Sequence, residues 1–117
     1  MQINLTLEVL DNAEGKDYRV VKLAGEFDKA GHSDIQEDFD SLVKGLSESV
    51  LVLDFSGLKF INSEGIGYLM EVHTHLLKRD KKLVLVQVLS NVRDVFETIG
   101  IGEIIPIYTN LSDFLSR

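Results

Sequence analysis

One hydroxyl in this chain stands where a reactive or modifiable group would be placed. Ser63 lies in Asn62-Ser63-Glu64-Gly65-Ile66-Gly67, beyond an apolar run, Val50 to Leu53, that reaches an acidic residue, Asp54. The run predicts a buried strand, and Asn62 to Gly67 opens a helical pattern. The first backbone N–H groups of a helix lack intrahelical partners and carry partial positive charge, so the position favours an anion. A serine there can be a helix cap, a nucleophile or a phosphorylation site, and its neighbours discriminate among the three.

Nucleophilic catalysis needs a base within hydrogen-bond reach. His73 is about 15 Å away along the same helical segment, at a rise of ~1.5 Å per residue, which is too far. Ile61 stands where a Gly-x-Ser-x-Gly elbow needs its first glycine. Gly65 and Gly67 begin like a dinucleotide fingerprint, but Met70 takes the third glycine position, and no Gly-Lys-Ser/Thr phosphate loop exists. His73 and His75, two apart on a helix, point to different sides and cannot chelate one metal; His73 falls on the apolar stripe and reads as a packed or edge histidine. Asp54 ends a strand as a receiver's phosphoacceptor does. That chemistry needs an acidic cluster after the first strand, where Val9-Leu10-Asp11 leads instead into a hairpin.

The plain role for Ser63 is an N-cap, worth about 1 kcal/mol. Gly65 and Gly67 weaken the helix start by up to ~1 kcal/mol each relative to alanine. A sequence built for stability alone has no need of both. The missing side chains would let another protein approach the backbone and reach the hydroxyl.

The elements that must hold Ser63 follow from periodicity. Ile3, Leu5, Leu7 and Val9 alternate with polar residues as a half-buried strand. Tyr18 to Ala24 is a second strand, joined by the polar loop Asp11 to Asp17 with Gly15, so the two form an antiparallel hairpin. Ile35, Phe39, Leu42, Val43 and Leu46 recur at helical spacing, with Ser33 and Gln36 as a capping box and Gly45 near the end. Val50 to Phe55 is a central strand. Ile66, Leu69, Met70, His73, Leu76 and Leu77 form the stripe of a second helix, whose basic last turn, Lys78 and Arg79, suits the helix dipole. Leu83 to Leu89 is a buried strand. Ser90 or Asn91 caps a third helix that Gly100 ends. Ile104 to Tyr108, with Pro106, is an edge strand, and Asn110 to Leu115 is a short helix. Strands and helices alternate after the hairpin, which predicts an α/β fold. It has a mostly parallel sheet of about five strands, one antiparallel edge and about four helices.

At 117 residues with 44% hydrophobic and 26% charged residues, the chain reads as one globular domain over 1–117. The absence of cysteine removes disulfides and thiolate chemistry. No stretch approaches the ~20 apolar residues of a membrane span, and the N-terminus lacks the basic-then-apolar order of a signal peptide, so a cytoplasmic protein without membrane insertion is expected. A net charge of −7 argues against direct nucleic-acid binding. Glu26, Asp28, Asp34, Glu37, Asp38 and Asp40 make an acidic stretch, while Lys78, Arg79, Lys81 and Lys82 make a basic one. They read as solvated faces, or as an acidic surface that orients a basic partner. No long exposed apolar stripe calls for an oligomer, so a monomer is expected when free.

Four segments in order resemble the STAS domain family, in particular bacterial anti-sigma-factor antagonists. Leu23-Ala24-Gly25-Glu26-Phe27-Asp28 is similar to that family's Gly-Glu-Leu-Asp turn after the second strand. Val52 to Ile61 is similar to its third strand and following connection. Asn62 to Gly67 takes the place of its Asp-Ser-Ser/Thr-Gly-Leu-Gly motif, and Val92 to Ile105 of its later helix, Gly-Leu and strand. The resemblance implies a non-enzymatic regulator without a cofactor. It would bind an anti-sigma factor that is also a serine kinase, freeing a sigma factor, and be switched off by phosphorylation of Ser63 and restored by a serine phosphatase. It implies a partner-binding surface of Asp28, Asn62, Ser63, Glu64, Gly65 and Gly67. Asn62 replaces the family's aspartate and Glu64 its second hydroxyl residue. STAS domains also serve as subunits of transport or other signalling complexes that dock without phosphorylation, which is the alternative; a serine hydrolase or receiver-like enzyme is a weaker one.

Overall fold

A computed structural model describes residues 2–11 and 16–117. The opening alternation becomes β1 (Leu5–Asp11), antiparallel to β2 (Tyr18–Phe27), as expected of a hairpin. Part of the polar loop assigned to its connection lies outside the described residues. Leu5 is buried and Leu7 partly so, but Ile3 precedes the strand and both Ile3 and Val9 are exposed, so the alternation overstated the strand's inward face. β2 runs three residues past its expected end. Gly25 makes this possible: its φ is +119°, and a Cβ there would lie 2.1 Å from the Asn4 carbonyl oxygen, which accepts the Glu26 N–H at 2.9 Å.

The chain continues through α1 (Lys29–Lys44), β3 (Val50–Ile61), α2 (Ser63–Leu77), β4 (Lys82–Val86), α3 (Ser90–Ile99), a 3-10 turn at Ile101–Glu103, β5 (Ile107–Tyr108) and α4 (Leu111–Leu115). The strands form one five-stranded sheet in the order β1-β2-β3-β4-β5, antiparallel at β1–β2 and parallel elsewhere, which is the expected α/β architecture. β3 is the largest departure. Ser56 to Ile61, expected as a connection, extends the strand and pairs with β2 up to Phe27↔Ile61, with two irregularities that absorb the extra residues. Asp54 therefore lies within a strand rather than at its end, and its carboxylate accepts the Ser56 N–H at 2.8 Å.

Side chains alternate across the sheet. Leu51, Leu53 and Phe55 enter a larger core with Phe39 of α1, Leu69 of α2 and Phe96 of α3. Val50 and Val52 enter a smaller one on the opposite face, covered by Phe114 of α4. Burial of each such large apolar side chain contributes about 1.5–3 kcal/mol, so the larger core fixes where α1 and α2 begin. α2 is rotated from its expected stripe. Tyr68 and Val72 are buried with Leu69 and Leu76, whereas Leu77 is exposed and Ile66, Met70 and His73 only half-buried. Arg79 does not serve its own helix. Its guanidinium donates to the carbonyl oxygens of Val43 (2.6 Å) and Leu46 (3.0 Å), closing the far end of α1, which Gly45 terminates.

Two of these caps differ from the sequence-based expectation. Asp28, not Ser33, caps α1, which begins a full turn earlier. α3 has Leu89 at its cap position with no side-chain cap bond, and the Asn91 amide donates instead to the Lys59 carbonyl oxygen of β3. Gly100 ends α3 in the left-handed conformation, as predicted. β5 is shorter than its predicted span and lies at the sheet edge after Pro106; Asn110 caps α4.

Candidate functional site

β2 and β3 are parallel and end together at Phe27↔Ile61, so the helices that follow them start side by side. One residue beyond each strand, Asp28 and Asn62 adopt extended backbone and cap α1 and α2. The Asp28 carboxylate accepts the Gly31 N–H at 2.8 Å. The Asn62 side-chain oxygen accepts from the backbone N–H of Glu64 (3.0 Å) and Gly65 (3.4 Å). The Asn62 N–H in turn donates to the Phe27 carbonyl oxygen at 3.2 Å and ties the two starts together. Asp28 and the Ser63 segment thus lie at one end of the sheet.

Ser63 is the first residue of α2 and is not its cap, contrary to its plain structural reading. The side chain is exposed, and among the described residues its hydroxyl takes part in no hydrogen bond. Asn62 satisfies the N–H groups that a capping serine would have used, so Ser63 is released from structural duty. Glu64 beside it is exposed as well.

The two glycines, expected to act alike, separate. Gly67 is exposed, and a Cβ there would meet nothing within 4 Å. Gly65 is buried, and a Cβ would lie 2.5 Å from the Phe27 carbonyl oxygen, 2.8 Å from Ile61 Cγ1 and 2.9 Å from Phe27 Cδ1. Gly65 is therefore required for α2 to approach β2 and β3, while Gly67 leaves an open surface beside Ser63. The expectation that both open the surface is corrected for Gly65.

A residue outside the sequence-derived candidates completes this corner. His32, in the first turns of α1, lines a recess of about 230 Å³ together with Ser63, Glu64, Gly67, Tyr68 and Glu71 of α2. Its ring lies against Tyr68, with centroids 4.2 Å apart at 44°. Its Nε2 is shielded and has no hydrogen-bond partner. Tyr68 is fixed in turn by a short hydrogen bond from its hydroxyl to the Asp40 carboxylate of α1. Burial first, and then the Asp40 bond and charge, push the Tyr68 phenol far above its ordinary range, so it stays a neutral donor. Only the packing of α1 on α2 brings His32 to Ser63, which lies 31 positions later, and no local spacing could have revealed it.

The acidic stretch divides by role. Asp28 caps, Asp40 holds Tyr68, and Asp34 accepts the Asn4 N–H at 2.7 Å and the Leu5 N–H at 3.3 Å. Glu26, Glu37 and Asp38 remain exposed. On the basic side, Lys81 donates to the carbonyl oxygens of Ser47 and Glu48, so part of that stretch is structural too. Among the described residues no group of three or more His, Asp or Glu could hold a metal ion, and no helix is long and apolar enough to cross a membrane.

This constellation suits recognition or modification better than bond cleavage. Among the described residues no hydrogen bond joins His32 to Ser63, and no carboxylate orients the imidazole as a general base requires. The N–H groups of Glu64 and Gly65, which could have formed an oxyanion hole, are occupied by Asn62.

Solved structures with the same fold include an anti-sigma factor antagonist from Mycobacterium paratuberculosis. It is 24% identical over 97% of this chain and 92% of that one, with a TM-score of 0.81. The Bacillus cell fate determinant SpoIIAA in its phosphorylated form is 19% identical over 96% and 98%, with a TM-score of 0.67. A sulfate transporter family protein from Wolinella succinogenes is 14% identical over 90% and 87%, with a TM-score of 0.73. At these identities the likeness establishes the fold alone. The STAS domain family model matches residues 5–114, nearly the whole chain, and the protein therefore belongs to the STAS domain family.

Proposed function

We propose that the protein is an anti-sigma-factor antagonist that acts by binding, not by catalysis. Its surface of Asp28, Asn62, Ser63, Glu64 and Gly67 docks an anti-sigma factor that is also a serine kinase, and so frees a sigma factor. Phosphorylation of Ser63 ends the interaction and a serine phosphatase restores it. The observation that carries this reading is the Ser63 hydroxyl, exposed on the first turn of α2 and uninvolved in capping, beside the open Gly67. The likeness to an antagonist and to a phosphorylated determinant supports it. Because Asn62 does the capping, a phosphate worth roughly −1.5 to −2 charges could be added without dismantling the helix start. A partner surface fitted to a neutral hydroxyl would then meet bulk and charge.

The test is incubation with a serine-kinase anti-sigma factor from the same genome and ATP. Transfer of the terminal phosphoryl group to Ser63 Oγ, with loss of its proton, adds about 80 Da, and Ser63→Ala abolishes the gain. A tight complex without labelling would instead favour a STAS subunit that docks without a switch, as the transporter-family likeness allows. The absence of both complex and labelling would overturn the proposal.

A further inference from the structure

We infer that a phosphoryl group on Ser63 is received by the recess between α1 and α2, with His32 as its positioning residue. This rests on Ser63 as the phosphorylation site, but it concerns what the fold does with the phosphate once it is there.

A helix start commonly supplies its own N–H groups to an anion. Here most of that supply is spent. Asn62 Oδ1 takes the N–H of Glu64 and of Gly65, and the Asn62 backbone oxygen takes that of Ile66 at 3.0 Å. Beyond the N–H of Ser63 itself, a phosphate there must find its counter-group outside the helix start. The recess that Ser63 lines contains two carboxylates, Glu64 and Glu71, both of which repel a dianion. His32 is the one group on that lining able to carry positive charge.

The imidazole is also held in place to act. Tyr68 lies on its ring, Phe27 flanks it with centroids 6.4 Å apart, and Tyr68 is pinned by Asp40. Its Nε2 is shielded and has no hydrogen-bond partner, so no bond within the fold competes for that nitrogen. Of the elements packed against His32, α2 presents Glu64, Tyr68 and Glu71, and β2 presents Phe27. On α1 itself, the Asp28 carbonyl oxygen takes the His32 backbone N–H at 2.8 Å. Gly67, where a Cβ would meet nothing within 4 Å, adds no side chain to the lining of the recess.

The experiment is a phosphorus NMR pH titration of the full chain carrying phosphoserine at position 63, installed by genetic encoding so that no kinase is needed. Removal of the imidazole in His32→Gln is expected to raise the midpoint of the second phosphate ionisation by about half a pH unit. His32→Lys, which restores a positive charge, is expected to hold it at or below the wild-type value, and Glu71→Gln to lower it. An unchanged midpoint in a folded His32→Gln protein overturns the inference. If amide spectra show that this variant has lost its fold, His32→Lys carries the test, and a midpoint above wild type overturns it. Failure of a kinase to label the natural chain would sink the proposed switch, yet would leave the outcome of this titration unaffected.

Discussion

The two glycines of the Ser63 segment provide the sharpest check on how α2 is seated. Alanine in place of glycine in a helix gains up to ~1 kcal/mol from backbone entropy alone. At Gly67 nothing opposes this, since a Cβ would meet no atom within 4 Å. Gly67→Ala should therefore stabilise the protein by about 0.5–1 kcal/mol. At Gly65 the same methyl would lie 2.5 Å from a backbone oxygen and under 3 Å from two core carbons, one of them on Phe27, which is fully buried. Overpacking of this kind costs about 1–3 kcal/mol, and here the backbone oxygen cannot swing aside. That oxygen accepts the Asn62 N–H, so moving it also disturbs the cap. After the propensity gain, Gly65→Ala should be net destabilising by about 1–2 kcal/mol, leaving the variants ~2–3 kcal/mol apart. In a domain of this size that is a difference in melting temperature on the order of 10 °C. Thermal unfolding by circular dichroism, with urea midpoints as a second measure, reads it directly. A Gly65→Ala protein as stable as Gly67→Ala would refute the seating of α2 against Phe27.

Other substitutions test the neighbouring contacts. Asn62→Ala should lose about 1 kcal/mol in urea unfolding while Ser63→Ala stays within ~0.5 kcal/mol of wild type; the reverse order would return the cap to serine. Tyr68→Phe should lower stability at neutral pH by removing the bond to Asp40. The folded state keeps the phenol neutral, while the unfolded chain ionises it near pH 10. That contribution is full below pH ~10 and is lost as the pH climbs beyond it, so the gap between wild type and Tyr68→Phe should shrink there. A gap that stays constant would show that the phenol's ionisation is not linked to folding. Arg79→Ala, which removes the guanidinium donor from two carbonyl oxygens at the end of α1 and leaves Val43 with the Leu46 N–H at 3.3 Å, should cost about 1–3 kcal/mol in the same unfolding assay.

The central place of β3 was legible in the sequence because Leu51, Leu53 and Phe55 fill one face while Val50 and Val52 fill the other, and such double burial leaves an unbroken apolar run. What escaped lies where long-range contacts override local signals. Ser56 to Ile61 looks like a loop because Ser56, Lys59 and Phe60 are exposed, yet pairing with an extended β2 makes it a strand. The start of α1 was hidden by Gly31, which suggests a break in the helix but serves close contact: its Cβ would lie 2.0 Å from the Glu26 carbonyl oxygen. At the site, the Ser63 motif was visible, but which of Asn62 and Ser63 caps the helix was not, since both are good N-caps. His32 carried no local signal, because its relation to Ser63 exists only across two packed helices.

Residue 62 carries the structural load of the helix start, and residue 63 is left unburdened. The division bears on the two departures from the family's motif. In the Asp-Ser-Ser/Thr pattern that this segment resembles, the single negative charge would sit on the capping residue. In Asn62-Ser63-Glu64 the cap is neutral and the charge stands one position beyond the serine, so the segment keeps one carboxylate and changes its place. A neutral amide caps as well as a carboxylate does, so the fold loses little by the exchange. The electrostatics at Ser63 do change. The negative charge now sits on Glu64, exposed on the same recess that Glu71 and His32 line. If charge at the cap were what a partner reads, Asn62→Asp would strengthen binding of the anti-sigma factor. If the recess is what matters, Glu64→Ser would change that affinity and Asn62→Asp would leave it within about twofold, a ~0.4 kcal/mol effect. The placement of His32 beside the displaced carboxylate favours the second outcome, and equal responses to both substitutions would show that charge count alone is read at this surface.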